Sequence, residues 1–306
     1  MTLAALAPMQ QPPIERWLLQ VTPQTPIPQC EQAGSMLRGA FGHALKALAC
    51  KCPAEQHAAD CIYQQIFEPL APADWPVRYQ DCPPAFVLTP PAAKNAAQSP
   101  LSIAFTLLGP SLQHAELIWS AWQLAAHLGL GNERISASIE RQQILSQPPE
   151  APAHGPLTLN FCSPLLIKRK LPGAMTSSPL QADQLGAADL FIALHRRLQL
   201  THHLYGVHLT PPPALQHWLE IAEACEVVTR LKPVHFARRS NRQQQRMPLF
   251  GLCGTLQLRG PLDADLRASL ALAQWLHIGG KTALGLGAFT LHGTDDLTFV
   301  PGNHRA

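Results

Sequence analysis

Residues 273–291 read AQWLHIGGKTALGLGAFTL, and this stretch carries the fold. An apolar run at helical spacing (Leu266, Leu270, Ala273, Leu276) enters it, and a strand-like run, Ala288 to Leu291, leaves it. Between them stand Gly279, Gly280, Gly285 and Gly287, with Lys281 and Thr282 inside the loop. Glycine admits positive φ and close approach to the main chain. A cation and a hydroxyl beside converging backbone N–H groups suit a phosphate. Gly280-Lys281-Thr282 ends like a P-loop, but the required first glycine is Trp275. The order of elements is also reversed, because a P-loop follows a strand and precedes a helix. A nucleotide is therefore excluded. What remains is an extended polyanion such as an RNA backbone, or a tight helix-to-strand connection without a ligand.

Working outward from this loop, the same order of elements occurs twice. In the first half, Ile14–Val21 reads as a strand and 33–49 as an amphipathic helix with Leu37, Phe41, Ala44 and Leu45 on its apolar face. Strands are expected at 85–89 and 101–108, a helix at 111–128, a glycine loop at 129–134 and a strand at 135–144. Residues 50–84 read as irregular and cysteine-rich, and the proline-rich 146–156 as a linker. In the second half a strand is expected at 157–167, helices at 187–204 and 213–228, and strands at 234–236 and 249–258 around a basic loop. The helix at 264–277 then leads into the glycine loop. Each half thus reads β-α-β-β-α-β, and the expected fold is α+β with two tandem ferredoxin-like (RRM-like) domains, residues 1–150 and 151–306.

The chain of 306 residues is 46% hydrophobic, only 14% charged, and carries a formal net charge of +3. Any nucleic-acid surface must come from local clustering. Arg230, Lys232, Arg238, Arg239, Arg242 and Arg246 provide it, with no acidic residue among them. Arginine forks bind phosphate oxygens bidentately, so a basic hairpin there is read as an RNA-binding wedge, and otherwise as a solvated hairpin tip. Lys168, Arg169 and Lys170 form a second cluster and Arg196 and Arg197 a third. No motif of a metalloprotease, serine hydrolase or Walker nucleotide enzyme occurs, and no clustered carboxylates suit a two-metal nuclease. The N-terminus is a poor signal peptide and no apolar run approaches a membrane span, so a cytoplasmic protein is expected.

Two further groups carry chemistry. His43 lies on the first helix with Arg38 and Lys46 near it, and Gly39 and Gly42 beside it. A histidine among cations suits proton transfer at a ribose 2′-hydroxyl, with the cations steadying the phosphorane charge; an ordinary solvent-facing histidine is the alternative. Cys50-Lys-Cys52-x4-His57-x3-Cys61 offers ligands for tetrahedral zinc, with Cys30 or Cys82 as substitutes; reduced thiols packing a loop are the alternative.

Six motifs in order resemble the CRISPR repeat-processing endoribonucleases of the RAMP superfamily. They are Leu37-Arg-Gly-Ala-Phe-Gly-His-Ala-Leu45, then Cys61-x-Tyr63-x3-Phe67-Glu68, then Leu159-x-Phe161-x-Ser163-Pro164-Leu165. Phe191-x2-Leu-x-Arg196-Arg197 with Tyr205-Gly206, and Arg239-Ser-x-Arg242-Gln243 with Gly251-x2-Gly254, follow. His277-x-Gly279-Gly280-Lys281-Thr282-x2-Gly285-x-Gly287 is the most specific. The resemblance implies tandem ferredoxin-like domains that bind a precursor CRISPR RNA and cut it in each repeat. It implies metal-independent cleavage by the 2′-hydroxyl, leaving a 2′,3′-cyclic phosphate. His43 matches the family's first-helix histidine, and Arg38, Lys46 and Tyr63 are the next catalytic candidates. Arg238, Arg239, Arg242 and Arg246 and the loop Gly279, Gly280, Lys281, Thr282, Gly285 and Gly287 are the expected RNA contacts. No cofactor is expected for catalysis. Other CRISPR effector subunits are expected partners. The alternative functions are a non-catalytic RNA-binding subunit of an effector complex, or an RNA-binding domain pair unrelated to CRISPR.

Overall fold

A computed structural model describes residues 13–27, 33–53, 56–72, 82–91, 100–170, 173, 175–207, 214–240 and 245–293. It contains two four-stranded antiparallel sheets with the same connectivity. The first is built from β1 (Ile14–Pro23), β2 (Phe86–Thr89), β3 (Leu101–Leu108) and β4 (Ala137–Leu145), in the order β2-β3-β1-β4. The second is built from β5 (Leu157–Leu165), β8 (Glu226–Ser240), β9 (Gln245–Arg259) and β10 (Phe289–His292), in the order β10-β5-β9-β8. In each, the first and third strands of the unit are central and the fourth lies beside the first, which is the ferredoxin-like arrangement. A short hairpin, β6 (Lys168–Arg169) with β7 (Ser178–Pro179), follows β5.

Helices cover one face of each sheet because the strands alternate. In β1 Trp17, Leu19 and Val21 are buried, while Arg16, Leu18 and Gln20 between them are not fully covered. In β5 every odd residue from Leu157 to Leu165 is buried. The helices α1 (Ala33–Ala49) and α3 (Ala115–Leu128) pack on the first sheet. Phe41 of α1 sits at the centre, 4.9 Å from the Phe105 ring, 5.3 Å from Phe86 and 5.0 Å from Trp122 between centroids. Aromatic contacts of this kind dominate a core, and truncating such a residue costs about 3–5 kcal/mol. On the second sheet lie α4 (Ala187–Tyr205) and α6 (Ala264–Leu276), with α5 (Leu215–Glu223) packed on α4. Asp263 caps α6, its carboxylate accepting the Leu266 N–H at 2.8 Å.

Several elements differ from the sequence-based expectation. The cysteine-rich segment is not wholly irregular, since Ile62–Phe67 forms a short helix, α2, buried through Tyr63, Ile66 and Phe67. The helix expected from residue 111 starts as a 3-10 turn, Gly109–His114. The helix expected at 213–228 stops at Glu223, because Val227, Val228 and Thr229 are recruited into the sheet against β9. The two short strands expected around a basic loop are one long ribbon, paired from Glu226↔Arg259 to Ser240↔Gln245. Pro233 is tolerated because β8 is an edge strand, and Pro248 lies beyond the part of β9 that pairs with β5.

The two units share buried surface. Ile14, Ala85, Val87 and Leu108 of the first belong to the same apolar cluster as Tyr205, Trp275, Leu276 and Ile278 of the second. The Tyr205 hydroxyl donates to the Pro83 carbonyl. The segment between the sheets is held by Arg267, which is buried and donates to the carbonyls of Pro152 at 2.7 Å and Gly155 at 2.6 Å. No helix among the described residues is long and apolar enough to cross a membrane.

Candidate active site and nucleic-acid interface

The first helix presents a narrow polar stripe. Its apolar positions Leu37, Phe41, Ala44 and Leu45 turn to the core, which leaves His43 and Lys46 exposed. With Gly39 they stand at i, i+4 and i+7, on one side of the helix. A Cβ added at Gly39 would meet nothing within 4 Å, so this part of the helix backbone is open to a partner. Gly42, by contrast, is buried. A Cβ there would lie 2.3 Å from Phe67 Cζ, so Gly42 exists to seat Phe67.

Two cations rest on an aromatic platform beside this stripe. The Arg38 guanidinium lies 4.2 Å over the Phe67 ring and the Lys46 ammonium 5.6 Å from the Tyr63 ring centroid. Tyr63 and Phe67 are themselves stacked at 5.4 Å. Tyr63 is buried, and burial, with Glu68 next, pushes its hydroxyl up to about 12. Its phenol therefore stays neutral near neutral pH, and its ring supports Lys46. The arrangement offers an accessible imidazole for proton transfer, with fixed positive charge beside it.

The platform continues into the cysteine-rich loop. His57 lies 5.4 Å from Tyr63, ring to ring. The ligand atoms of Cys50, Cys52, His57 and Cys61 all fall within 4.8 Å of one another. His57 Nδ1 is 3.4 Å from the Cys50 sulfur and 3.5 Å from that of Cys61, and the Ala58 N–H donates to Cys52 Sγ at 3.4 Å. A backbone hydrogen bond from Cys52 draws the Cys50 thiol below its ordinary value, while burial pushes that of Cys61 up.

The glycine-rich loop is placed differently from an open cradle. The N–H groups of Gly280 and Gly287 donate to the carbonyls of Leu166 and Pro164, and that of Ile278 to Gly287. The Leu284 and Gly285 N–H groups close a 3-10 turn on Lys281 and Thr282. Thr282, Gly285 and Gly287 are buried, Gly279 and Gly280 are half-buried, and Lys281 is exposed. The loop docks on the first unit, since a Cβ at Gly34 would lie 2.1 Å from the Leu284 carbonyl oxygen. The loop is thus a joint between the units that projects Lys281, held at φ 61° and ψ 29°, to solvent.

The other basic residues lie on the β8–β9 ribbon, on the β6–β7 hairpin and within the second unit. Arg238, Arg239 and Arg246 lie on the β8–β9 ribbon, where Arg239 is registered against Arg246; Arg242 falls outside the described residues. Arg169 donates to both carboxylate oxygens of Asp189 at 2.8 Å. Arg197 is buried and donates through Nε to the Leu276 carbonyl at 2.9 Å; burial lowers it to about 10. It belongs to the core of the second unit and not to a surface cluster.

One polar group was not foreseen from the sequence. Arg16 donates to Thr106 and Thr89, both at 3.0 Å, and its guanidinium lies 6.0 Å from the Trp275 ring centroid. Burial lowers it to about 10. His277 Nε2 meets the Thr89 hydroxyl at 2.9 Å. In the sequence His277 is only the start of the loop motif. Its φ of 63°, rare for a non-glycine residue, marks the tight exit from α6 and could not be inferred from sequence.

Comparisons with known proteins agree with this architecture. Residues 159–289 match the family model of the CRISPR-associated endoribonuclease Cas6, and residues 12–153 a model described as an N-terminal domain. Among solved structures, a Cas6 product complex shares 17% identity at a TM-score of 0.57, over 92% of this chain and 100% of that one. Cas6 from Thermus thermophilus shares 14% at 0.55, over 92% and 100%. The product of a Cas6-related gene from Pyrococcus furiosus shares 11% at 0.51, over 91% and 98%. At these identities the likeness is one of fold. Curated protein sequences gave no match.

Proposed function

We propose that this chain, whose residues 159–289 match the Cas6 endoribonuclease family model, cuts precursor CRISPR RNA within each repeat by a metal-independent transesterification. The ribose 2′-oxygen attacks the adjacent phosphorus and the bond from phosphorus to the 5′-oxygen breaks. The 2′-hydroxyl gives up its proton and the departing 5′-oxygen gains one. The products are a 2′,3′-cyclic phosphate and a 5′-hydroxyl. His43 carries one of these protons, and Lys46 and Arg38 offset the charge that builds on the phosphorane. The observation that carries this reading is the stripe of exposed His43 and Lys46 with Gly39, where a Cβ would meet nothing within 4 Å, open where a ribose-phosphate backbone must approach.

The basic ribbon with Arg238, Arg239 and Arg246, together with Arg242, and the exposed Lys281 hold the RNA by phosphate contacts. The endoribonuclease description of the family model that residues 159–289 match supports an RNA partner. The cysteine cluster lies beside the catalytic helix and takes no part in the chemical step.

Single-turnover cleavage of the cognate repeat by the His43→Ala variant tests the assignment. Loss of cleavage with repeat binding retained is expected. Unchanged cleavage would remove His43 from the mechanism, and tight binding without cleavage by the unaltered protein would make it a non-catalytic RNA-binding subunit.

A further inference from the structure

We infer that Cys50, Cys52, His57 and Cys61 form a structural zinc site that fastens the cysteine-rich loop to the first helix. The site goes beyond the RNA-processing reading and does not depend on it. The first support is geometric. A tetrahedral zinc with bonds of ~2.3 Å to sulfur and ~2.0 Å to nitrogen places sulfur and nitrogen ~3.5 Å apart. His57 Nδ1 stands 3.4 Å from Cys50 Sγ and 3.5 Å from Cys61 Sγ, and all four ligand atoms lie within 4.8 Å. Four ligand atoms gathered this closely are within reach of one ion.

The donor chemistry gives the second support. Three thiolates and a neutral imidazole are the soft, borderline set that selects zinc over calcium or magnesium. Binding releases the thiol protons and leaves one net negative charge, with Lys46 on the neighbouring turn of the helix to offset it. The Ala58 N–H directed at Cys52 Sγ at 3.4 Å is the kind of outer contact that orients a metal-bound thiolate.

The site has a mechanical consequence. Cys50 follows directly on α1 and Cys61 directly precedes α2, so one ion closes the loop between the two helices. His57 rests against Tyr63, which stacks on Phe67, and these two rings carry Lys46 and Arg38. A loop with little regular structure is thereby made into a support for both cations.

The experiment uses the full chain, purified under reducing conditions after growth with zinc. Elemental analysis should find one zinc per chain, and cobalt(II) substitution should give the intense visible bands of a tetrahedral thiolate site. Cys52→Ser and His57→Ala should each weaken binding by about 100-fold or more. His57→Cys should retain the metal, as should Cys162→Ser and Cys225→Ser. Removal of zinc should expose the bond after Lys51, an exposed residue within the loop, to trypsin. Folding of each variant is checked by circular dichroism, so that loss of metal is separable from loss of fold. Protein that stays metal-free after reconstitution with zinc and thiol reductant overturns the inference. So does zinc that both Cys52→Ser and His57→Ala retain, or a disulfide among these cysteines in place of metal.

Discussion

His277 Nε2 and the Thr89 hydroxyl meet at 2.9 Å, joining the end of α6 in the second unit to β2 in the first. The imidazole is wholly buried, and burial, with Arg16 and Arg197 adding to it, holds His277 well below the ordinary value of 6.5. It is therefore neutral in the folded protein near pH 7.

This buried histidine predicts acid sensitivity. The unfolded chain takes up the proton near 6.5 and the folded chain does not. The stability it gives is complete above that value and is lost as pH falls below it, by up to about 1.4 kcal/mol per pH unit. Urea unfolding at about pH 7.5 and about pH 5.5 should show the loss in the unaltered protein. His277→Asn, which keeps a polar group near Thr89 and does not titrate, should show a shallower dependence.

Cleavage and binding should separate on the first helix. His43→Ala should slow single-turnover cleavage by about 10²–10⁴-fold, with repeat affinity changed by no more than about threefold, because an exposed imidazole contributes little uniform binding. Lys46→Ala should slow cleavage less, since Arg38 remains on the same aromatic platform.

The two glycines of that helix should respond in opposite ways. Gly39→Ala places a methyl in open space and should stabilise the helix by about 0.5–1 kcal/mol. It should nonetheless weaken repeat binding or cleavage, because the methyl occupies the surface offered to the RNA. Gly42→Ala drives a methyl into the Phe67 ring and should cost about 1–3 kcal/mol. Thermal unfolding paired with cleavage assays distinguishes the two.

In the glycine-rich loop, Lys281→Ala should weaken repeat binding, lower the salt dependence of binding by about one counterion, and leave the single-turnover rate within about twofold. Gly287→Ala should act on the fold instead. Gly287 has φ 71°, and a Cβ there would lie 1.8 Å from the Ile278 carbonyl oxygen, so a marked drop in melting temperature is expected.

The duplicated architecture was legible in the sequence because it rests on local periodicity. Leu37, Phe41, Ala44 and Leu45 make α1 a helix, and the odd residues of β5 make it a strand, whatever surrounds them. The cysteine cluster was legible for the same reason, its four side chains lying within a dozen residues. The length of the basic ribbon was not, since residues 226–233 are strand only through pairing with β9.

Tertiary structure alone decided what the opening stretch, residues 273–291, does. Its glycines look the same in sequence whether their N–H groups face a phosphate or a neighbouring carbonyl. In the folded chain Gly280 and Gly287 bond to Leu166 and Pro164, and Gly285 packs on Pro90, so Lys281 is left as the loop's exposed cation. The partners lie more than a hundred residues away, and no local pattern encodes them. Arg16, Thr89 and His277 make the same point. Each is an ordinary residue in its own element, and they form a polar joint only because burying the apolar faces of two sheets brings them together.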